Sequence, residues 1–210
     1  MIYISKILFL FAFIHSGVAM AVEEPEFKIE TKTNSYEIRK YPDIIVAETL
    51  INNSFEESGN IAFGILAGYI FGKNKSKSKI EMTAPVSMQP HSEKIEMTAP
   101  VSQVKYANGF LIQFTMPKSF SLETLPVPND ARVHLRRIPS RRVAVYRYSG
   151  RWSEERYQEK LKEFVSELKK DQIQTIGEPV FSRYNPPFMP WFLRRNEIWF
   201  ELSDEGSLKM

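Results

Sequence analysis

The sequence predicts an α+β domain: two similar halves, each with one packed α-helix, join their antiparallel strands into one curved or barrel-like sheet. Three observations predict it. "YEIRKYPDIIVAE" (36–48) overlays "VHLRRIPSRRVAV" (133–145) without a gap, at an offset of 97. Arg39 meets Arg136, Pro42 meets Pro139 and Ala47 meets Ala144, and each copy reads as strand, proline-marked turn, strand. A helical pattern follows each copy. Most of the remainder, "FLIQFTMP" (110–117), "EPVFSRY" (178–184) and "NEIWFEL" (196–202), is β-rich and bounded by Pro, Gly or Asn.

In chain order, the first element is not part of the fold. Lys6 precedes an apolar run over 7–14, and Ala19-Met20-Ala21 is a small-x-small site. This reads as a signal peptide over 1–21, cleaved after Ala21, for a periplasmic or secreted protein with no lasting membrane insertion. One domain then spans 22–202, with a frayed tail over 203–210. Without cysteine there is no disulfide framework, thiol chemistry or lipid-bearing cysteine. The 27 basic and 25 acidic residues after position 21 are too balanced for a dedicated nucleic-acid binder.

The first helix starts at Ser54, where Ser54 and Glu57 have capping-box spacing. Ile61, Ala62, Ile65, Leu66, Tyr69 and Ile70 recur at helical spacing, and Gly72 supplies a stop. Gly59, Gly64 and Gly68 each cost about 1 kcal/mol against alanine in an exposed helix interior. Their presence implies that a sheet or a flat ligand approaches this backbone closely. The second helix, from near Ser153 to about Lys170, carries an apolar stripe of Tyr157, Leu161, Phe164, Val165 and Leu168. Its acidic first turn and basic last turn complement the helix dipole.

Between the halves the block KIEMTAPVS occurs twice, at 79–87 and 94–102. Its period-2 alternation predicts two extended, half-buried segments, each bent or at a sheet edge because proline cannot donate to a ladder. Met82 and Met97 read as adaptable core side chains; the sharper alternative places one at a pocket wall or as a sulfur donor to a metal. Catalytic constellations are missing from the sequence. His15 leaves with the signal peptide, and His91 and His134 belong to no HxxxH or HExxH pair. There is no G-x-S-x-G elbow and no phosphate-cradling glycine loop. The expectation is a binding protein rather than an enzyme, and no metal ligand is assigned.

"YEIRKYPDIIVAET", "GKNKSKSKIEMTAPVSM", "FTMPKSFSLETLPVPND", "RRVAVYRYSG" and "PPFMPWFLRRNEIWFEL" resemble, in order, the blocks of the SOUL/heme-binding protein family. The doubled block resembles its bacterial, exported branch. The resemblance implies a distorted antiparallel β-barrel of two pseudo-symmetric halves, each with one packed α-helix. It also implies non-covalent binding of heme or another tetrapyrrole, carried or buffered without being transformed. Burying on the order of 300 Å² of apolar ligand surface is worth roughly 7 kcal/mol before association costs. The candidate pocket wall is Ile65, Leu66, Tyr69 and Ile70 on the glycine-rich helix, with Phe188, Met189, Trp191 and Phe192 in a proline-stiffened loop. Lys73, Lys75, Arg194 and Arg195 are the candidate rim cations for the propionates. The alternative is a small-molecule effector-binding or protein-interaction module of the same fold, anchored by the same Trp, Tyr, Met and Arg residues.

Overall fold

The computed structural model describes residues 22–77 and 92–203. The expected signal peptide, the first KIEMTAPVS copy with Met82, His91 and residues 204–210 lie outside them.

The elements are β1 (Lys28–Lys32), β2 (Glu37–Tyr41), β3 (Ile44–Ile51), α1 (Phe55–Ile70), β4 (Asn74–Lys75), β5 (Val101–Tyr106) and β6 (Gly109–Thr115). There follow β7 (Val127–Pro128), β8 (His134–Ile138), β9 (Arg141–Tyr148), α2 (Glu154–Lys170), β10 (Thr175–Arg183), a 3₁₀ turn (Trp191–Leu193) and β11 (Asn196–Leu202). The 97-residue repeat is reproduced to the residue: β2 and β3 shifted by 97 coincide with β8 and β9. Nine strands form one antiparallel sheet in the order β1-β2-β9-β11-β10-β5-β6-β3-β8. That order is symmetric about the β10–β5 pair, because the first strand of each half crosses to pair with the second strand of the other.

The crossing forces the sheet to curl. β2 and β3 stand six spacings apart in the ladder order, about 29 Å in a flat sheet. Only Pro42 and Asp43 connect them, and three Cα–Cα steps reach about 11 Å. The two proline corners therefore meet: Ser140 donates its backbone N–H to Asp43 Oδ1 at 2.7 Å and its hydroxyl to the Tyr41 carbonyl at 2.9 Å. Among the described residues no ladder joins β1 to β8, so the hydrogen bonding stops short of a closed barrel.

Both helices pack on one face. Along β9 and β11, Ala144, Ile198 and Phe200 face α2, where they meet Phe164 and Leu168. The alternate residues Val143, Val145 and Trp199 gather with Tyr41 on the opposite face, as the period of a strand dictates. α1 packs Ala62, Leu66, Tyr69 and Ile70 against Ala47, Ile112 and Phe114. Its N-cap is Ser54, whose hydroxyl accepts the Glu57 N–H at 3.4 Å. The reciprocal half of the expected capping box is replaced, because the Asn53 side chain takes the Ser54 N–H at 2.8 Å. The second KIEMTAPVS copy is extended but not a ladder strand up to Pro100. Ile95 is buried and donates to the Ile70 carbonyl at 2.8 Å, crossing the end of α1, and Ala99 donates to Glu23 at 2.8 Å.

Glu48 on the far face is paired with Arg136. Burial alone would raise the Glu48 carboxyl, but the Arg136 guanidinium (2.8 and 2.9 Å) and Gln113 amide (2.8 Å) hold it below the ordinary carboxylate range. Such a group contributes stability that is complete above its unfolded pKa, roughly 4.3, and is lost as pH falls through the lower folded value. The urea midpoint is therefore expected to hold from pH 7 to about 5 and to drop below about pH 4. Arg136→Gln should shallow that drop. A midpoint that rises on acidification would contradict the pairing.

Candidate functional site

A cavity of about 210 Å³ lies beside the N-terminal half of α1. Gly59, Asn60 and Phe63 form its helix wall, and Met97, Ala99 and Val101 from the second KIEMTAPVS copy form a second wall. Trp152, Val22, Thr98 (whose hydroxyl donates to the Thr115 carbonyl) and the chain leaving β10, from Arg183 to Pro187, complete it. Except for Arg183, the Thr98 hydroxyl and the amides of Asn60 and Asn185, the side chains named are apolar or aromatic. The loop is held by its own backbone and by Arg194, whose Nε and Nη2 donate to the carbonyls of Met189 (2.8 Å) and Pro187 (2.6 Å). Arg195 N–H donates to Asn185 Oδ1 at 2.6 Å and fixes where the loop begins.

Arg183 is the cation of this cavity. Strand period places it on the helix-facing side of β10 with Phe181. Its Nη2 donates to Gln103 Oε1 at 3.2 Å, and Gln103 is itself pinned by donating to the Phe55 carbonyl at 2.8 Å. The guanidinium lies 5.4 Å from the Trp152 ring centre and 5.6 Å from that of Phe181. Burial pulls Arg183 down to about 10. Gly59 leaves its space: a Cβ there would stand 2.5 and 2.8 Å from the guanidinium nitrogens. Close approach to a helix glycine was thus legible in the sequence, whereas the approaching group was not.

The structure separates the residues that the sequence suggests for a site. Leu66, Tyr69 and Ile70 are buried against the sheet, with Ile65 packed beside them. Positions i, i+3 and i+4 share a helix face, so this stripe is core, and Gly59 and Phe63 continue the edge of the same face toward the start of α1, where they line the cavity. The i, i+4 spacing of those two was the available signal. Phe188 is 85% exposed, and Trp191 and Phe192 are exposed beside it, while Met189 is half-buried. These four continue the loop from Pro187 but do not line the cavity. Lys73 and Lys75 are exposed at the other end of α1. The Lys73 side chain lies against Gly68, about 14 Å along the helix from Gly59. Arg194 stays near the cavity, 4.3 Å from the Trp152 ring centre. Arg195 turns to the opposite face and pairs with Glu197 and Glu24 at 2.9 Å. One cation of the expected rim therefore stands beside the cavity.

For the tetrapyrrole that the resemblance implies, the residues present fit an apolar plate edge bearing a carboxylate. Met97 is the sulfur at the wall. His134 is exposed on β8, opposite Glu48 in register, and among the described residues no cluster of His, Cys, Asp or Glu could hold a metal ion. A larger cavity, about 670 Å³, lies on the other face of the sheet, with Trp199, Val104 and Tyr106 in its wall. Two arginines there already have carboxylates, Arg136 with Glu48 at 2.8 Å and Arg141 with Glu201 at 3.8 Å.

The chain is similar to heme-binding protein 2 of Mus musculus, 28% identical over 90% of each chain. Its similarity to heme-binding protein 2 of Homo sapiens is 29%, again over 90% of each. In fold it is similar to the C-terminal domain of EcmrR, with a TM-score of 0.56 at 12% identity over 80% of this chain and 98% of that one. The SOUL heme-binding protein family model matches residues 22–94 and again 88–201, one stretch carrying each copy of the doubled block. With both matches together spanning the domain from Val22 to Glu201, the next-to-last residue of β11, the chain belongs to the SOUL heme-binding protein family.

Proposed function

We propose that this protein binds heme or a related tetrapyrrole non-covalently, one edge of the plate entering the cavity between α1 and the loop after β10. In this reading it is exported and carries, buffers or scavenges its ligand without transforming it. The observation that carries the proposal is an apolar cavity whose one cationic side chain, Arg183, has no carboxylate from the described residues. Its volume, about 210 Å³, is below the roughly 300–1,000 Å³ of pockets that enclose a ligand. The exposed Phe188, Trp191 and Phe192 supply apolar surface for the remainder. A bound heme would bring its iron and its visible spectrum, while the chain brings apolar burial, the Met97 sulfur and positive charge.

Hemin added to the chain beginning at Val22 is expected to give a saturable, one-to-one Soret change that survives albumin and free-hemin controls. Phe63→Glu places a charge in the apolar wall and should weaken binding by about tenfold or more. Lys73→Glu should change it by less than about twofold, given the screening over that distance. Failure to saturate, or equal effects of the two changes, sinks the assignment.

The cavity of about 670 Å³ on the other sheet face favours a second reading, a small-molecule effector-binding module without physiological heme. Val104→Glu separates the two: it should leave hemin affinity unchanged under the first reading and abolish ligand binding under the second.

A further inference from the structure

We propose that Arg183 is a carboxylate anchor inside the α1 cavity, so that the ligand class is an apolar molecule with a free carboxylate that enters acid end first. The location rests on the reading above; the anchor adds the recognised group and its orientation.

Among the described residues, the buried Arg39 and the half-buried Arg195 have carboxylate partners, whereas Arg194 donates to backbone carbonyls. Arg39 pairs with Glu37 at 2.7 Å and Glu197 at 3.1 Å, and Arg195 pairs with Glu197 and Glu24. Arg183 has none among the described residues. Its one acceptor is the neutral Gln103 oxygen, and its Nε is sealed from solvent with no acceptor. A buried charge is costly unless paired, and an anion beside it returns that cost. The guanidinium lies against Gly59 in the second turn of α1. An unpaired positive charge at the wall of an apolar cavity thus asks for an anion. A planar guanidinium suits a carboxylate because it presents paired donors. The Trp152 ring beside it lines the cavity and offers apolar contact to whatever carries the acid.

The test uses two acid and ester pairs: hemin with its dimethyl ester, followed by Soret absorbance, and cis-parinaric acid with its methyl ester, followed by fluorescence. On the unaltered protein the free acid is expected to bind at least about tenfold tighter than its ester. In Arg183→Met, and in Arg183→Gln as a second replacement, that preference should fall below about twofold, with ester affinity unchanged. The urea midpoint of Arg183→Met should be equal or higher, since an unpaired charge is removed. An acid preference that persists without Arg183, or is missing from both pairs in the unaltered protein, overturns the anchor, as does failure of both acids to bind. If cis-parinaric acid shows the Arg183-dependent preference and hemin does not bind, the tetrapyrrole reading fails and the anchor stands. If hemin and its ester bind equally well and cis-parinaric acid shows no preference over its ester, the anchor fails and the tetrapyrrole reading stands.

Discussion

Glu197→Ala is expected to lower the unfolding free energy by about 3–5 kcal/mol, the usual cost of stripping one partner from a buried ion pair. Glu197 is completely buried. It accepts from Arg39 Nη1 at 3.1 Å, Arg195 Nη2 at 2.9 Å, the Tyr184 hydroxyl at 2.8 Å and the Trp199 indole at 2.9 Å. One carboxylate thus ties β2, β11 and the start of the candidate loop. Burial alone would lower the Arg39 guanidinium, yet Glu197, Tyr41 and Glu37 hold it above its ordinary value. Burial raises the Tyr184 phenol well above its usual value, and the Glu197 charge adds to the rise. Removing Glu197 leaves Arg39 with Glu37 and Arg195 with the half-exposed Glu24, so the loss falls short of two orphaned charges. The melting temperature should drop by roughly 10 °C, at about 2–4 °C per kcal/mol for a chain of this size. Tryptophan fluorescence should shift, because Trp199 loses its acceptor. Glu159→Ala on the exposed face of α2 should cost less than about 0.5 kcal/mol. Similar effects for both would mean that water reaches the Glu197 network.

Leu66→Ala is expected to cost about 2–5 kcal/mol, from the lost burial and the cavity left behind. Leu66 has no exposure and packs in the α1 core with Ala62, Tyr69 and Ile112. Measured where the variant is still folded, its hemin affinity should stay within about twofold of the original. Phe63→Ala should behave in the opposite way. Phe63 is 38% exposed, touches Phe114 on one side and lines the cavity on the other, so stability falls less and affinity falls more. A hemin affinity that drops sharply with Leu66→Ala and not with Phe63→Ala would return the ligand to the inner face of the helix.

Much of the fold was legible in the chain because its signals are local. The Ser153 cap and the dipole-matched ends of α2 need only neighbours within one turn, and the helix starts where they say. The proline corners and the alternation around them set four strands, repeated at 97 residues. The second KIEMTAPVS copy was misleading for the same reason. Its alternation is real as far as Met97, but before Pro100 the donors of Ile95 and Ala99 go to Ile70 and Glu23, and only Val101 and Ser102 join a ladder, in β5, a choice no nearby residue encodes.

By itself the sequence determined the helices, the paired corners and the family. The tertiary structure alone decided which part of α1 borders open space, that Lys73 and Lys75 stand apart from Arg194, and which charges find partners. Arg39 and Arg136 occupy equivalent places in the repeat, yet one takes its carboxylate from β11 and the other from β3. Arg183 takes none from the described residues. Caps, turns and alternation act within a few residues of chain, whereas pairing and burial of charge depend on strands brought together from far along it, so the site appears only where the sheet curls.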